Sequence, residues 1–198
     1  MASFSAPALE TIESSIYIYN NGGLEDIDMS GLTEVSSQIY IENNDYLETI
    51  DMSALVEVES SLYLYYNDRV ESILLTSLES VGGTLYVYEN PALDDIDWTS
   101  LTEVDGSVTV YDNDSYEELS FPSLVEINGS LQISNNDAMT SFSAPVLSSL
   151  SSTLTIQNNA DLTSVDLSEL YCVSDYTIES NDLSEDDKYD LLVQLSDC

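Results

Sequence analysis

A repeat of 23 residues runs through almost the whole chain and limits its fold more than any other feature. Two of its columns are an asparagine and a leucine, and a third column holds an aliphatic residue three positions after the leucine. The asparagines are Asn21, Asn44, Asn67, Asn90, Asn113, Asn136 and Asn159, and the leucines are Leu9, Leu32, Leu55, Leu78, Leu101, Leu124, Leu147 and Leu170. A single repeat is too short to bury an apolar face, so neighbouring repeats must stack as the coils of a solenoid.

Within each repeat the apolar residues alternate with period two. Leu62 and Leu64 fall on one side of an extended chain, while Tyr63 and Tyr65 fall on the other. This alternation is typical of a half-buried strand and not of a helix. We therefore predict a mainly β protein: a parallel β-solenoid of about eight leucine-rich-type coils of 23 residues, stacked about 4.8 Å apart.

The two ends of the repeat array differ. Ser184 followed by Glu185, Asp186 and Asp187 is typical of a helix N-terminus. We therefore predict a solenoid over residues 1–183, with an incomplete first coil, and a short capping helix and tail over residues 184–198. No cap precedes the first repeat, so either a cap or further coils belong upstream, or this coil associates with another chain.

The only two cysteines, Cys172 and Cys198, lie on either side of the predicted helix. We predict a disulfide between them, which would contribute roughly 3 kcal/mol by closing the loop. The alternative is a pair of unpaired thiols.

The repeat resembles a known family. Residues 78–93 read Leu-x-x-Val-x-Gly-x-Leu-x-Val-x-x-Asn-x-x-Leu. This pattern is similar to that of the leucine-rich-repeat-related receptor L domain, found in insulin and EGF receptor ectodomains and in fungal or bacterial surface proteins. The resemblance covers residues 3–183. It implies a right-handed β-helix, an asparagine that satisfies backbone groups in each turn, and an extracellular or cell-surface location. It says little about the ligand, because such scaffolds bind many partners.

The charge of the chain is extreme, with 38 acidic residues, two basic residues and a net charge of −36. Nucleic acids and anionic membranes are unsuitable partners, because both bind through Lys and Arg. The sequence contains no apolar run of about 18 residues, so we also expect no membrane insertion.

Eight tyrosines occupy two outward columns of the main strand over the N-terminal half of the array, and we call them the tyrosine face: Tyr17, Tyr19, Tyr40, Tyr63, Tyr65, Tyr86, Tyr88 and Tyr111. Tyrosine combines a large apolar ring with a polar tip, which suits the recognition of a protein or a glycan. The alternative is that the stacked rings only favour and shield the strands.

An acidic column recurs at the same spacing and consists of Glu25, Glu48, Glu71, Asp94 and Glu117. Like charges about 5 Å apart repel by around 1 kcal/mol per neighbour even in water. We expect no required cofactor, but carboxylates one coil apart are also oxygen ligands of the kind that calcium prefers. The alternative is a solvated acidic surface adapted to high salt.

Catalysis has little support, because the chain has no histidine, no phosphate-binding glycine loop and no serine nucleophile motif. We expect a non-catalytic recognition or adhesion module that binds a protein or carbohydrate through the tyrosine face. The alternative is a structural repeat segment of a surface layer, cell wall or assembly, held by cation-mediated contacts or by self-association through the N-terminal coil.

Overall fold

Each repeat contributes three short strands that pair with the equivalent strands of the coils before and after it. The computed structural model of the chain describes residues 2–196 and has twenty-three strands, β1 to β23, and one helix, α1, in this range. Partners in almost every strand pair are 23 residues apart and parallel, as in Leu62↔Leu85. The predicted parallel β-solenoid of about eight coils is confirmed.

One strand of each coil lies in a parallel sheet of eight strands, which carries the tyrosine face. Its strands are β3 (Ile16–Tyr19), β6 (Ile39–Glu42), β9 (Leu62–Tyr65), β12 (Leu85–Tyr88), β15 (Val108–Tyr111), β18 (Leu131–Ser134), β21 (Thr153–Gln157) and β23 (Asp175–Glu179).

A second parallel sheet of seven two-residue strands forms another side of the solenoid. Its strands are β2 (Thr11–Ile12), β5 (Glu34–Val35), β8 (Glu57–Val58), β11 (Ser80–Val81), β14 (Glu103–Val104), β17 (Glu126–Ile127) and β20 (Ser149–Leu150).

The third side is divided into two separate parallel sheets. The first five coils supply β1 (Ser3–Ser5), β4 (Asp26–Asp28), β7 (Thr49–Asp51), β10 (Ser72–Leu74) and β13 (Asp95–Ile96). The later coils supply β16 (Glu118–Ser120), β19 (Ser141–Ser143) and β22 (Ser164–Asp166).

The interior is a continuous apolar core along the solenoid axis. Residues of the leucine column such as Leu55 and Leu78, and inward strand residues such as Leu62 and Leu64, are completely buried. Burial of each such side chain stabilises the fold by about 1.5–3 kcal/mol. Every coil depends on its neighbours for this burial, so the outward side chains are held on a rigid scaffold.

The asparagine column forms a hydrogen-bonded ladder inside the turn after the eight-stranded sheet. Asn67 shows the pattern: its backbone N–H donates to Asn90 Oδ1 over 3.2 Å, and its Nδ2 donates to the carbonyls of Ile41 and Tyr65, both over 3.0 Å. The residue before each asparagine has a positive φ, for example 55° at Tyr66. This left-handed conformation costs a side chain about 1–2 kcal/mol and turns the chain sharply, so that the asparagine points into the core.

The ladder continues over nearly the whole array. Asn44, Asn67, Asn90, Asn113, Asn136 and Asn159 are completely buried. Asn21, in the first coil, is exposed. The last step is closed by Asn181, which accepts from Asn159 although it lies only 22 residues further along the chain.

The third side of the solenoid opens between β13 and β16, and we call this interruption the open seam. Trp98 and Tyr116 are buried next to it, at positions that hold a leucine or methionine in most other coils. The Trp98 ring also packs on Phe121, with 5.6 Å between the ring centroids. These large buried rings lie where the strand pairing is interrupted. The open seam contains a cleft of about 310 Å³ whose rim includes Asp95, where burial and repulsion from Asp97 raise the pKa of the carboxyl group.

The helix α1 (Glu185–Leu195) covers the last coil, as the sequence predicts. Ser184 caps it by accepting a hydrogen bond from the Asp187 N–H, and Leu191 and Leu195 are buried against the solenoid. Gln194 Nε2 donates to the carbonyls of Leu167 and Leu170, over 2.6 and 2.8 Å, and so satisfies backbone groups at the end of the stack.

The predicted disulfide involves Cys198, which lies outside the described residues. Cys172 forms an isolated antiparallel bridge with Ser196. Among residues 2–196, no helix is long and apolar enough to cross a membrane.

Candidate functional site

The tyrosine face lies on the outward side of the eight-stranded sheet. The strand register aligns Tyr17 with Tyr40 and Tyr63 with Tyr86 in one column, and it aligns Tyr65 with Tyr88 in the other. Tyr19 and Tyr111 stand at the two ends of this second column. All eight predicted tyrosines therefore share one surface. Tyr17 and Tyr19 are 55% and 54% exposed, whereas the others are half-buried by their neighbours.

The tyrosine rings stack on one another along the solenoid axis. In the first column, Tyr40 stacks on Tyr17 with 5.3 Å between the ring centroids and on Tyr63 with 4.3 Å, at interplanar angles of 15° and 16°. In the second column, Tyr88 stacks on Tyr65 at 5.1 Å and on Tyr111 at 4.9 Å. Tyr86 joins the two columns through an edge contact to Tyr63 and a tilted contact to Tyr88. Each stacked pair adds about 0.5–1.5 kcal/mol, so the rings hold each other in place before any ligand binds.

Four hydroxyl groups of the tyrosine face stay protonated well beyond neutral pH. Burial is the largest cause that raises the pKa above the ordinary value of 10, and it acts on Tyr40, Tyr86, Tyr88 and Tyr111. Each of these hydroxyls can therefore both donate and accept a hydrogen bond. Two neighbouring polar side chains extend this pattern: Gln38 Nε2 donates to the Tyr17 hydroxyl over 2.6 Å, and the Tyr65 hydroxyl donates to Glu42.

The outward side of this sheet is almost free of charge, although the chain has a net charge of −36. Its two outward columns contribute fourteen side chains over the first seven coils, and Glu42 is the only charged residue among them. The positions that follow the tyrosines hold Thr109, Gln132, Ser134, Thr155 and Gln157. The acidic residues are concentrated elsewhere, so the sheet forms a neutral strip on an anionic protein.

Tyr66 belongs to the same ring cluster but is not one of the tyrosines that the sequence columns predict. Its ring lies 5.5 Å from that of Tyr65 and 4.9 Å from that of Tyr88. It occupies the left-handed position before Asn67, where Asn20 and Asn43 stand in earlier coils. The sequence signal that could have identified Tyr66 is a tyrosine at a turn position whose left-handed backbone favours asparagine. Such a residue indicates that the side chain serves a purpose other than backbone conformation.

The acidic column lies on a different part of the surface, between the asparagine turn and the third side. The backbone N–H of Glu48 donates to the Glu25 carbonyl over 2.7 Å, and the same bond joins Glu71 to Glu48 and Asp94 to Glu71, each over 3.0 Å. Their side chains are exposed, and Glu117 follows on the far side of the open seam. In the part of the chain that the structure describes, no three His, Cys, Asp or Glu side chains form a group that could hold a metal ion. Calcium binding by this column therefore stays a prediction.

A second row of carboxylates lies on the seven-stranded sheet, where Glu34 pairs with Glu57 and Glu103 pairs with Glu126. Repulsion from Asp105 is the main cause that raises the pKa of Glu103. Glu126, on the next coil, makes a smaller contribution in the same direction.

Comparison of the chain with protein-family models, with curated proteins and with solved structures found no match. The resemblance to the receptor L domain therefore stays a prediction from the repeat pattern.

Proposed function

We propose that the chain is a non-catalytic recognition or adhesion module whose contact surface is the tyrosine face. The single observation that carries the proposal is the combination of eight tyrosines with an almost uncharged sheet on a protein of net charge −36. If the tyrosines served only to favour strands, they would not need to be segregated from the acids that cover the other surfaces. Large, rigid aromatic side chains with polar tips are also the residues that most often dominate binding surfaces.

The physical state of the face supports this role. Its rings are ordered by mutual stacking, so little side-chain entropy is lost when a ligand binds. Glu42 is the one charged side chain in its two outward columns over the first seven coils, so a ligand meets little charge that must be desolvated. The pattern of the repeat supports an extracellular or cell-surface location. The regular recurrence of the acids supports a non-catalytic role, because an active site needs a unique arrangement.

The experiment compares the protein with a variant in which Tyr63→Thr, Tyr65→Gln and Tyr86→Thr are combined. Threonine and glutamine occupy the same columns at Thr155 and Gln157, so the strands accept these residues. A matched control replaces Glu25, Glu48 and Glu71 with glutamine. Binding is measured on an array of neutral glycans and of extracellular protein domains.

We expect the tyrosine variant to lose at least about tenfold in affinity for every ligand that the protein binds, since three large contact side chains are removed. The control variant should bind as the original chain does. Ligands that the tyrosine variant binds with unchanged affinity, or a protein that binds nothing on the array, would overturn the proposal. Circular dichroism of both variants verifies that the fold is retained.

A structural role through contacts between coils is the second candidate, and one observation favours it. Asn21 Oδ1 receives no hydrogen bond from any described residue, whereas Asn44 Oδ1 accepts from both the backbone N–H and the Nδ2 of Asn21. The ladder therefore has a vacant acceptor on its N-terminal side, where Phe4, Ile12 and Ile18 are only partly buried. This role predicts a mass in sedimentation that increases with protein concentration, whereas a recognition module stays monomeric.

A further inference from the structure

The orientation of the tyrosine rings limits what the face can contact. Four of the five ring pairs on successive coils are nearly parallel and lie 4.3–5.3 Å apart, whereas Tyr86 meets Tyr63 edge-on at 6.0 Å. The flat faces of the stacked rings are therefore largely covered by one another. The outward surface consists mainly of ring edges and hydroxyl groups. Over the five coils each column holds four tyrosines, with Glu42 interrupting one column and Thr109 completing the other. A ligand meets a regular array of hydrogen-bond donors and acceptors with apolar ring edges between them.

The charge distribution shows which classes of macromolecule are unfavourable ligands for the tyrosine face. A basic protein would be attracted to the acidic column and the carboxylate row, not to the one strip of the surface that lacks charge. A second copy of this chain has the same spacing, but each copy carries a net charge of −36, so the two copies repel each other. A neutral ligand avoids both problems.

The distance between coils favours an extended sugar chain over an extended peptide as the ligand, because only one of the two has a matching repeat length. Coils in a parallel stack are about 4.8 Å apart. An extended peptide lying along the axis presents side chains on one side about every 6.8 Å, so it loses register with the tyrosines after a single coil. In an extended β-linked polysaccharide each sugar ring advances the chain by a length close to the coil spacing. Successive sugars can therefore face successive coils. Because alternate sugars of such a chain are turned over relative to each other, equivalent contacts recur on every second coil.

The width of the array also suits a single sugar chain. The two columns are two residues apart along each strand, which is about 6.8 Å, roughly the width of one sugar ring with its hydroxyls. Tyr17 and Tyr111 mark the ends of the array over five coils, a length of about 19 Å. This length accommodates about five sugars.

The geometry points to an uncharged, extended, β-linked polysaccharide as the ligand of the tyrosine face, lying parallel to the solenoid axis with one sugar per coil. The inference rests on the proposed function of this face and specifies its ligand class. The sugar hydroxyls exchange hydrogen bonds with the tyrosine hydroxyls, and the apolar C–H groups of the sugars make van der Waals contact with the exposed parts of the rings. Past Tyr111 the threonine and glutamine side chains continue the array of polar groups without the rings.

The test is calorimetric titration of the full chain with β-linked oligosaccharides of increasing length, from cellobiose to cellohexaose and from chitobiose to chitohexaose. In at least one of the two series, we expect affinity to increase with each added sugar up to about five and then to level off. Maltohexaose, which is neutral but coils, and oligogalacturonate, which is extended but anionic, should bind at least about tenfold more weakly than the best hexamer. The variant with Tyr63→Thr, Tyr65→Gln and Tyr86→Thr should lose about tenfold or more, whereas the glutamine control variant should not.

The outcomes distinguish this inference from the proposed function. Affinity that does not depend on length, equal binding of maltohexaose or oligogalacturonate, or no binding of either series would overturn the inference. If neither oligosaccharide series bound, but the tyrosine variant lost binding to a protein on the array, the recognition role would stand and the ligand class would be wrong. If oligosaccharides bound the tyrosine variant with unchanged affinity, both proposals would fail, because the site would lie elsewhere.

Discussion

Replacement of one asparagine in the middle of the ladder should destabilise the whole solenoid. Asn90 is completely buried, and its Oδ1 accepts from the backbone N–H and the Nδ2 of Asn67, over 3.2 and 3.3 Å. Its Nδ2 donates to the carbonyls of Leu64 and Tyr88, over 3.0 and 3.1 Å. Asn90→Ala removes all of these bonds and takes hydrogen-bond partners from buried polar groups in its own coil and in the preceding coil. Each buried group without a partner costs about 1–3 kcal/mol.

The Asn67 N–H loses its acceptor, and the carbonyls of Leu64 and Tyr88 each lose one donor, so we expect Asn90→Ala to lower the free energy of unfolding by about 3–5 kcal/mol. Urea unfolding followed by circular dichroism measures this loss. The control is Asn21→Ala: Asn21 is exposed, donates to the Tyr19 carbonyl over 3.1 Å and accepts from no described residue, so its loss should cost less than about 1 kcal/mol. A cost for Asn90→Ala equal to that for Asn21→Ala would refute the reasoning that the ladder supports the stack.

Three further predictions follow from the core and from the charges. Tyr116→Phe should change the free energy of unfolding by less than about 1 kcal/mol, because the buried Tyr116 hydroxyl makes no hydrogen bond of regular geometry with the described residues, although Trp98 and the Ile96 backbone lie close to it. A larger loss on urea unfolding would contradict this. The melting temperature should rise as the pH falls from 7 toward 4.5. Repulsion from Asp105 raises the pKa of Glu103 above its ordinary value of 4.5. A carboxyl whose pKa is raised by folding stabilises the protein when it is protonated. Below pH 3.8 the trend should reverse at Asp28, because hydrogen bonds from Ser30 lower the pKa of that carboxyl, and its stabilisation is lost as it is protonated. A melting temperature that falls steadily from pH 7 would contradict the sign for Glu103, and one that keeps rising below pH 3.8 would contradict the sign for Asp28. Salt should raise the melting temperature by screening the net charge of −36. Millimolar CaCl₂ should raise the melting temperature more than NaCl of equal ionic strength does only if carboxylates bind calcium directly. An unchanged melting temperature in both salts would contradict the view that acid repulsion destabilises the fold.

Most of the fold could be predicted from the sequence because the repeat is so regular. The spacing of 23 residues fixes the register, since any other alignment would separate the asparagines and leucines from their equivalents in the next coil. The alternation around Tyr63 and Tyr65 assigns one side of each strand to the core and the other to the surface. The capping helix was predictable from Ser184 and the three acids after it, and its bounds follow the expected pattern.

The open seam could not be predicted, because it depends on volumes and not on pattern. Trp98 and Tyr116 are apolar-column residues like their equivalents in other coils, and the sequence contains no breaking residue at β13 or β16. Only the packed core shows that two large buried rings at neighbouring levels coincide with the loss of pairing between β13 and β16. A mean repeat pattern treats leucine and tryptophan alike, although the tryptophan side chain needs far more space.

The tyrosine face was predictable in its position but not in its geometry. Strand alternation places Tyr40 and Tyr88 outward, but it does not determine that the rings stack along the axis and direct their edges and hydroxyls outward. Tyr66 was missed because it lies in the turn and not in a strand column. Its ring joins the cluster only because the left-handed turn bends the backbone back toward Tyr65 and Tyr88.

Oxidative footprinting of tyrosine side chains, read by mass spectrometry, tests the central claim most directly. The protein is labelled alone and with the tightest ligand from the array. The account predicts that Tyr63, Tyr65 and Tyr86 become protected, while Tyr171 and Tyr189, which are 51% and 67% exposed outside the tyrosine face, are labelled as before. Unchanged labelling of the face, or protection confined to Tyr171 and Tyr189, would contradict the claim that this sheet is the recognition surface.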